Sequence, residues 1–202
     1  MEKRFFQALK DRRTFYNIKS ASPITDSQIE NILQEAVKFS PSAFNSQSAR
    51  ALLLLGRHHR QLWAIVKSAL QNIVPPEVFA KSKEKIDNSF AAGYGSILFF
   101  EDTAVIENLK KQFALYKDNF PVWAQQANGM LQLAVWAALE LNGLGASLQH
   151  YNPLIDKEVK EKWEIPETWQ LVAQMPFGAP CGAPGEKDFV PVEKRVKVYK
   201  DS

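Results

Sequence analysis

The chain has 202 residues, of which 46% are hydrophobic and 23% charged, a balance that excludes a disordered tail or a fibre and suits one globular domain over 1–202. A chain of this size buries about 70% of the surface its unfolded form exposes, so one core can form without staples. Lys and Arg number 25 against 22 Asp and Glu, and a net charge of +3 gives no argument for nucleic acid. The single Cys181 excludes an internal disulfide. No apolar run approaches the roughly 20 residues of a membrane span, and no leader-like stretch opens the chain, so a reduced cytoplasmic setting is expected.

In chain order, Phe5, Phe6, Ala8 and Leu9 form a short helical stripe that ends at Asp11-Arg12-Arg13-Thr14. Thr25-Asp26-Ser27-Gln28 has the form of a capping box. Ile29, Ile32, Leu33, Ala36 and Val37 follow at the spacing of one buried helical face, with Pro41 beyond its end. After a polar loop over 40–48, residues 51–55 are apolar on both faces and stopped by Gly56, which predicts a central strand. Residues 58–71 have helical spacing, with His58-His59 as a solvated start. Pro75-Pro76 precede a charged helical stretch around 81–87, and 95–101 predicts a second buried strand. Residues 122–141 form the longest predicted helix, apolar round much of its circumference, which places it in the middle of the fold. A short helix over 155–163 and a strand over 169–175 follow. The remainder reads as an extended arm over 178–202, ending in a short strand where Val196 and Val198 alternate, and suited to reaching a partner subunit. Several helices with a few irregularly placed strands predict the α+β class.

The sequence lacks a phosphate loop, a G-x-S-x-G elbow and an H-E-x-x-H pair, and Gly93-Tyr94-Gly95 lacks the third glycine of a dinucleotide fingerprint. His58, His59, His150 and Cys181 are not grouped at metal-ligand spacing, so no metal is expected. What remains are three polar loops: Arg12-Arg13-Thr14, residues 42–50, and residues 182–187 ending in Lys187. Guanidinium forks and an ammonium suit phosphate, and Asn and Gln side chains suit a ring edge of alternating carbonyl and N–H groups. Together the loops have the chemistry to hold a phosphorylated heterocycle, although a basic helix end and a turn would look the same one at a time.

Two segments, Arg12-Arg13-Thr14-Phe15-Tyr16 ahead of a capped helix and Ser40-Pro41-Ser42-Ala43-Phe44-Asn45-Ser46-Gln47-Ser48-Ala49-Arg50 ahead of a strand, resemble the N-terminal signatures of the FMN-dependent nitroreductase family. Residues 143–153 and the arm from Pro176 through Pro191 are similar to the branch named after the fungal fatty-acid repression mutant protein. The resemblance spans essentially the whole chain. It implies a central mixed or antiparallel sheet flanked by helices, and a homodimer with two shared FMN sites. It further implies reduction by NADH or NADPH and reoxidation by nitroaromatics or quinones, in a stress or detoxification response. By the same resemblance Arg12 and Lys187 contact the FMN phosphate, and Arg13 and Thr14 line its phosphate and ribityl side. Pro41, Ser42, Asn45 and Gln47 come from the other subunit. Gln149-His150 stand where many relatives carry a Glu-Gly pair near flavin N5, and Phe189 stands where many carry an arginine, so phosphate binding leans on Arg12 and Arg13.

Such chemistry needs no protein nucleophile, because the cofactor carries the hydride and the protein supplies position and electrostatics. A flavin-binding regulatory or scavenging protein with little turnover is the rival expectation, and a basic interaction module without cofactor the third. His150 is either a donor to a flavin carbonyl or a loop residue. Cys181 reads as a bystander thiol, and Lys194, Arg195, Lys197 and Lys200 as a solvated edge. Phe113, Tyr116, Phe120 and Trp123 form either an aromatic lid over the ring or part of the core.

Overall fold

The computed structural model of the chain describes residues 5–201. A first helix, α1 (Phe5–Asp11), leads through the two-residue β1 (Ile18–Lys19) to α2 (Asp26–Phe39). Both halves of the predicted capping box are made: the Thr25 hydroxyl accepts from the Gln28 N–H at 3.3 Å, and the Gln28 side chain accepts from the Thr25 N–H at 2.9 Å. Strand β2 (Ala49–Leu55) turns directly into α3 (Gly56–Gln71) at Gly56, whose φ of +54° favours a residue without a Cβ. Then come α4 (Pro76–Lys85) with a π turn over Ile86–Phe90, β3 (Gly95–Asp102), α5 (Thr103–Gln112) and α6 (Phe120–Leu141). The chain continues with β4 (Gly145–Ala146), α7 (Asp156–Trp163) and β5 (Trp169–Pro180).

The class is α+β, as expected. The sheet runs β1-β5-β3-β2 with β4 also on β5, and every ladder is antiparallel, while an isolated parallel bridge joins Thr14 to Ala146. Alternation along β3 explains why it is apolar on both faces. Ile97 and Phe99 join Ile29 and Leu33 of α2 and Leu131 and Val135 of α6 in one core. Leu98 and Phe100 point the other way, to Leu62, Trp63 and Val66 of α3 and Val159 of α7. Helices therefore cover both faces.

The expected strand over 51–55 is present as part of β2, but β2 ends the sheet rather than sitting in its middle, and β3 takes the central place. Four further expectations are corrected. Strand β5 does not stop at Met175 but continues through Pro180, because Phe177 and Gly178 pair with β4 and the last two residues pair with β1. The arm thus begins at Cys181. No strand forms at Val196 and Val198: among the described residues the arm holds only a 3-10 turn at Val192–Lys194, and an alternating pattern makes no ladder without a neighbouring strand. Helix α6 is central on one side only, burying Ala124, Ala127, Leu131, Val135 and Leu139 while Val122, Met130, Leu133 and Leu141 face outward.

The fourth correction concerns His59, which is buried rather than solvated. Its Nε2 lies 3.3 Å from the Ala91 carbonyl, which can only accept, so Nε2 carries the hydrogen. Nδ1 then accepts from the Ser96 hydroxyl at 2.9 Å, while that oxygen accepts from the Trp63 indole at 3.1 Å. The neutral ring is fully satisfied, and burial pushes its pKa down to about 4. His58, by contrast, accepts from the Trp163 indole at 3.2 Å.

In the unfolded chain an imidazole titrates near 6.5, so between that value and about 4 the folded state binds fewer protons at His59 than the unfolded state does. The stability that the neutral ring contributes is complete above about pH 6.5 and falls as pH drops, by up to about 3 kcal/mol. Urea unfolding of the wild type and His59→Gln across this range checks it. The wild type should lose stability more steeply, and parallel curves would show that His59 is not the group responsible.

Candidate functional site

The first cationic loop leaves α1 with its backbone pinned at both ends: the Arg12 N–H donates to the Ala8 carbonyl at 2.8 Å and the Phe15 N–H to Ala146 at 2.9 Å. This fixes the exit of Arg12, Arg13 and Thr14 against the edge of the sheet. The arm returns to the same place. Arg12, Arg13, Thr14, Tyr16, Gly185, Glu186 and Lys187 line one cleft of about 380 Å³, and Arg13 donates to the Gly185 carbonyl. Three cations face it against the single carboxylate of Glu186. The Arg12 guanidinium lies over the Trp136 ring of α6, 4.4 Å from its centroid. Burial lowers the Arg12 pKa, and the charge of Arg13 lowers it further. A partly desolvated cation beside a second cation is an environment that an anion relieves.

The second loop has a different kind of order. Phe44, Asn45 and Gln47 take φ values of +56°, +49° and +47°, a left-handed conformation that costs a non-glycine residue on the order of 1 kcal/mol or more. The Ser42 hydroxyl accepts from the Gln47 N–H at 2.9 Å and closes the turn. Arg50 donates to the Gln47 carbonyl at 2.6 Å. The turn leaves Asn45 and Gln47 exposed. Pro41, Ser42 and Gln47 line a second cleft of about 420 Å³ with Leu33, Val37, Leu131 and Trp169. The structure thus gathers Arg12, Arg13, Thr14 and Lys187 in one cleft and places Pro41, Ser42 and Gln47 in another.

Phe44 organises the aromatic residues of the α5–α6 region. Its ring centroid lies 4.8 Å from Phe113, 5.3 Å from Phe120, 5.8 Å from Tyr116 and 6.0 Å from Trp123, the last stacked at 19°. Phe120 is buried, whereas Phe113 and Tyr116 are partly exposed, so the group is core at its base and surface at its rim. A neighbouring cavity of about 350 Å³ is lined by Ala43, Phe44, Trp123, Gln126 and Met130.

Gln149 pairs through its backbone with Gln174, at 2.7 and 2.9 Å, and its side chain donates to the Ser147 hydroxyl at 3.1 Å. His150 is exposed, and His150, Gln149 and Asn45 line neither of the two clefts that hold the remaining predicted residues. Cys181 is half-buried, with its N–H on the Asn17 carbonyl at 2.8 Å. Sequence reasoning missed Trp136, whose partnership with Arg12 spans most of the chain, and the parts of Phe44 and Arg50 in ordering the second loop. The signal for Phe44 was present, in that an aromatic residue stood inside an otherwise polar turn. A buried polar chain was also missed: Gln132 donates to Asn128 at 2.7 Å, and Asn128 to the carboxylate of Glu101 at 2.8 Å. Burial raises the Glu101 pKa against the opposing effect of that hydrogen bond.

Comparison with known proteins identifies the family. Residues 9–179 match the Nitroreductase family. HBN1 of Saccharomyces cerevisiae is 37% identical over 188 residues, covering 92% of this chain and 93% of the yeast protein. The nitroreductase CinD from Lactococcus lactis, solved in complex with chloramphenicol, is 45% identical with a TM-score of 0.88, over 98% of this chain and 100% of CinD. CinD has also been solved in complex with 4-nitrophenol. A protein from Desulfovibrio desulfuricans in complex with FMN shares the fold at a TM-score of 0.71, with 17% identity over the whole of both chains. The chain belongs to the nitroreductase family, and is an oxidoreductase on that ground.

Proposed function

We propose that this oxidoreductase is FMN-dependent, takes electrons from NADH or NADPH and passes them to nitroaromatics, quinones or both, as a cytoplasmic homodimer of single-domain chains serving a stress or detoxification response. The observation that carries the reading is the convergence of Arg12, Arg13, Thr14 and Lys187 on one cleft from opposite ends of the chain. The residues present fit the phosphate end of FMN. Arg12 is partly stripped of water and crowded by Arg13, and a dianion beside them offsets both costs. When bound, FMN supplies the two-electron chemistry by accepting and releasing a hydride.

The chain's own residues do the rest. Arg12, held over Trp136, and Lys187, carried by the arm, bind and orient the phosphate, while Thr14 adds a hydroxyl. Asn45 and Gln47, exposed amides on a strained turn, offer both donors and acceptors to a polar ring edge. Gln149 and His150 contribute at the flavin edge on this reading, and the aromatic group around Phe44 offers flat faces to planar acceptors. That CinD has been solved with chloramphenicol and with 4-nitrophenol supports the nitroaromatic class.

Two features support the dimer. Pro41, Ser42 and Gln47 line a cleft other than that of Arg12 and Lys187, so on this reading they serve the flavin of a second copy. The outward face of α6 carries Val122, Met130, Leu133 and Leu141, and β2 ends the sheet on its side, where one row of its backbone groups meets no strand of the same chain. The second reading, flavin binding with little turnover, is favoured by the Gln149 amide, which is committed to Ser147 where relatives place a Glu-Gly pair.

Anaerobic visible spectra test the reading directly. Flavin bands should bleach with NADH or NADPH and return with a nitroaromatic acceptor; protein that stays colourless after incubation with FMN overturns it, and protein that binds FMN without bleaching favours the second reading. Arg12→Ala should weaken FMN binding by about 30- to 100-fold, since it removes a charge-assisted contact to phosphate, and unchanged affinity by flavin fluorescence would refute the assignment. In sedimentation the wild type should run at twice the chain mass and Met130→Asp should shift toward a single chain. A single-chain wild type would refute the dimer.

A further inference from the structure

We propose that Arg50 is a positioning residue, clamping the strained turn over residues 42–47 in the conformation that presents Asn45 and Gln47. The proposal rests on the reading of that turn as part of the flavin site. Three left-handed non-glycine residues in one short segment relax unless the surroundings hold them. At its start the turn is closed by the Ser42 hydroxyl, and in its middle Phe44 is packed among four aromatic rings. At its exit the restraint is Arg50. One guanidinium nitrogen donates to the Gln47 carbonyl at 2.6 Å and to the Ala49 carbonyl at 3.1 Å, and the other meets the Asp102 carboxylate at 3.0 Å.

Asp102 is itself immobilised. It ends β3, its side chain accepts from Ala104 to cap α5, and its N–H donates to the Ser48 carbonyl at 3.0 Å. The guanidinium carbon also lies over Trp169, the first residue of β5, at 5.6 Å. Arg50 therefore spans from a fixed carboxylate to the carbonyl of the last left-handed residue, using the planar fork of its side chain. An ammonium has its three donors on one nitrogen and lacks the two separated nitrogens that reach the Gln47 carbonyl and the Asp102 carboxylate together. The Gln47 N–H is held by the Ser42 hydroxyl and its carbonyl by Arg50, so the peptide planes on both sides of its φ of +47° are fixed, and with them the direction in which its side chain leaves the backbone. Arg50 lies outside the cleft of Arg12 and Lys187 but lines the second cleft beside Gln47, so the Gln47→Ala background below separates positioning of Gln47 from any contact that Arg50 itself makes there.

Two measurements on the full chain test this. In apoprotein, amide hydrogen exchange over 43–49 should quicken about tenfold or more in Arg50→Ala, while amides in the middle of β3 keep their wild-type rates. Unchanged exchange in the turn overturns the clamp. In FMN titrations, Arg50→Ala should weaken binding about tenfold and Arg50→Lys nearly as much. In a Gln47→Ala background, removing Arg50 should cost less than about threefold, because the side chain it positions is gone. Losses that simply add would mean that Arg50 only stabilises the fold, and would overturn the proposal. If Arg50→Ala does not fold, Arg50→Lys carries both measurements. Wild-type protein that binds no FMN overturns the flavin reading, while the exchange measurement still decides on the clamp.

Discussion

The structure depends on β3 being dry on both faces. Ile97 and Phe99 commit one face to α2 and α6, and Leu98 and Phe100 commit the other to α3 and α7, so the strand can sit only in the middle of a layer that helices cover on both sides. Each of these large side chains contributes about 2 kcal/mol by leaving water. From that position β3 aligns β2 on one side and β5 on the other. The loop before β2 carries one set of polar residues assigned to the site, while the other is brought together from the loop after α1 and the chain beyond β5. The apolar core thus settles where the polar chemistry is placed, and Leu33 and Leu131 reach from it to the wall of the second cleft.

Two different devices hold the polar residues. Cations of the cleft are held by an aromatic face and a backbone carbonyl: Arg12 lies over Trp136, and Arg13 reaches Gly185. Such contacts fix direction without neutralising charge, so the cleft keeps its appetite for an anion. The amides of the second loop are held by backbone strain and its restraints instead. A turn with three left-handed residues is a poor choice for stability alone, and such outliers concentrate where geometry matters more.

Much of the fold was legible because its signals are local. The capping box of α2, the stop at Gly56 and the two-faced run of β3 each need only a few neighbouring residues to specify. His59 was not legible: a histidine at the start of an amphipathic helix gives no hint of Ser96 and Ala91 waiting to satisfy it. Nor was the full length of β5, because Pro176 and Gly178 read as strand breakers until β1 and β4 supply partners. At the site, the residue types were readable as a set only through the family resemblance, since Arg, Lys, Asn and Gln taken one loop at a time look like a basic helix end and a turn. Their grouping was not, because Arg13 and Gly185 are 172 positions apart.

That separation has a consequence for the making of the protein. Strand β1 finds its partner only at residues 179 and 180, and the cationic cleft only at residues 185–187, so neither exists while the ribosome is still within the last helix. During synthesis the segment carrying Arg12 must wait with its sheet position open until the end of the chain emerges. A nascent or prematurely terminated product would carry most of the two-sided core together with Arg12, Arg13 and Thr14, but not the wall of the cleft formed by residues 185–187. The order of translation thereby separates acquiring a hydrophobic core from closing the cationic cleft.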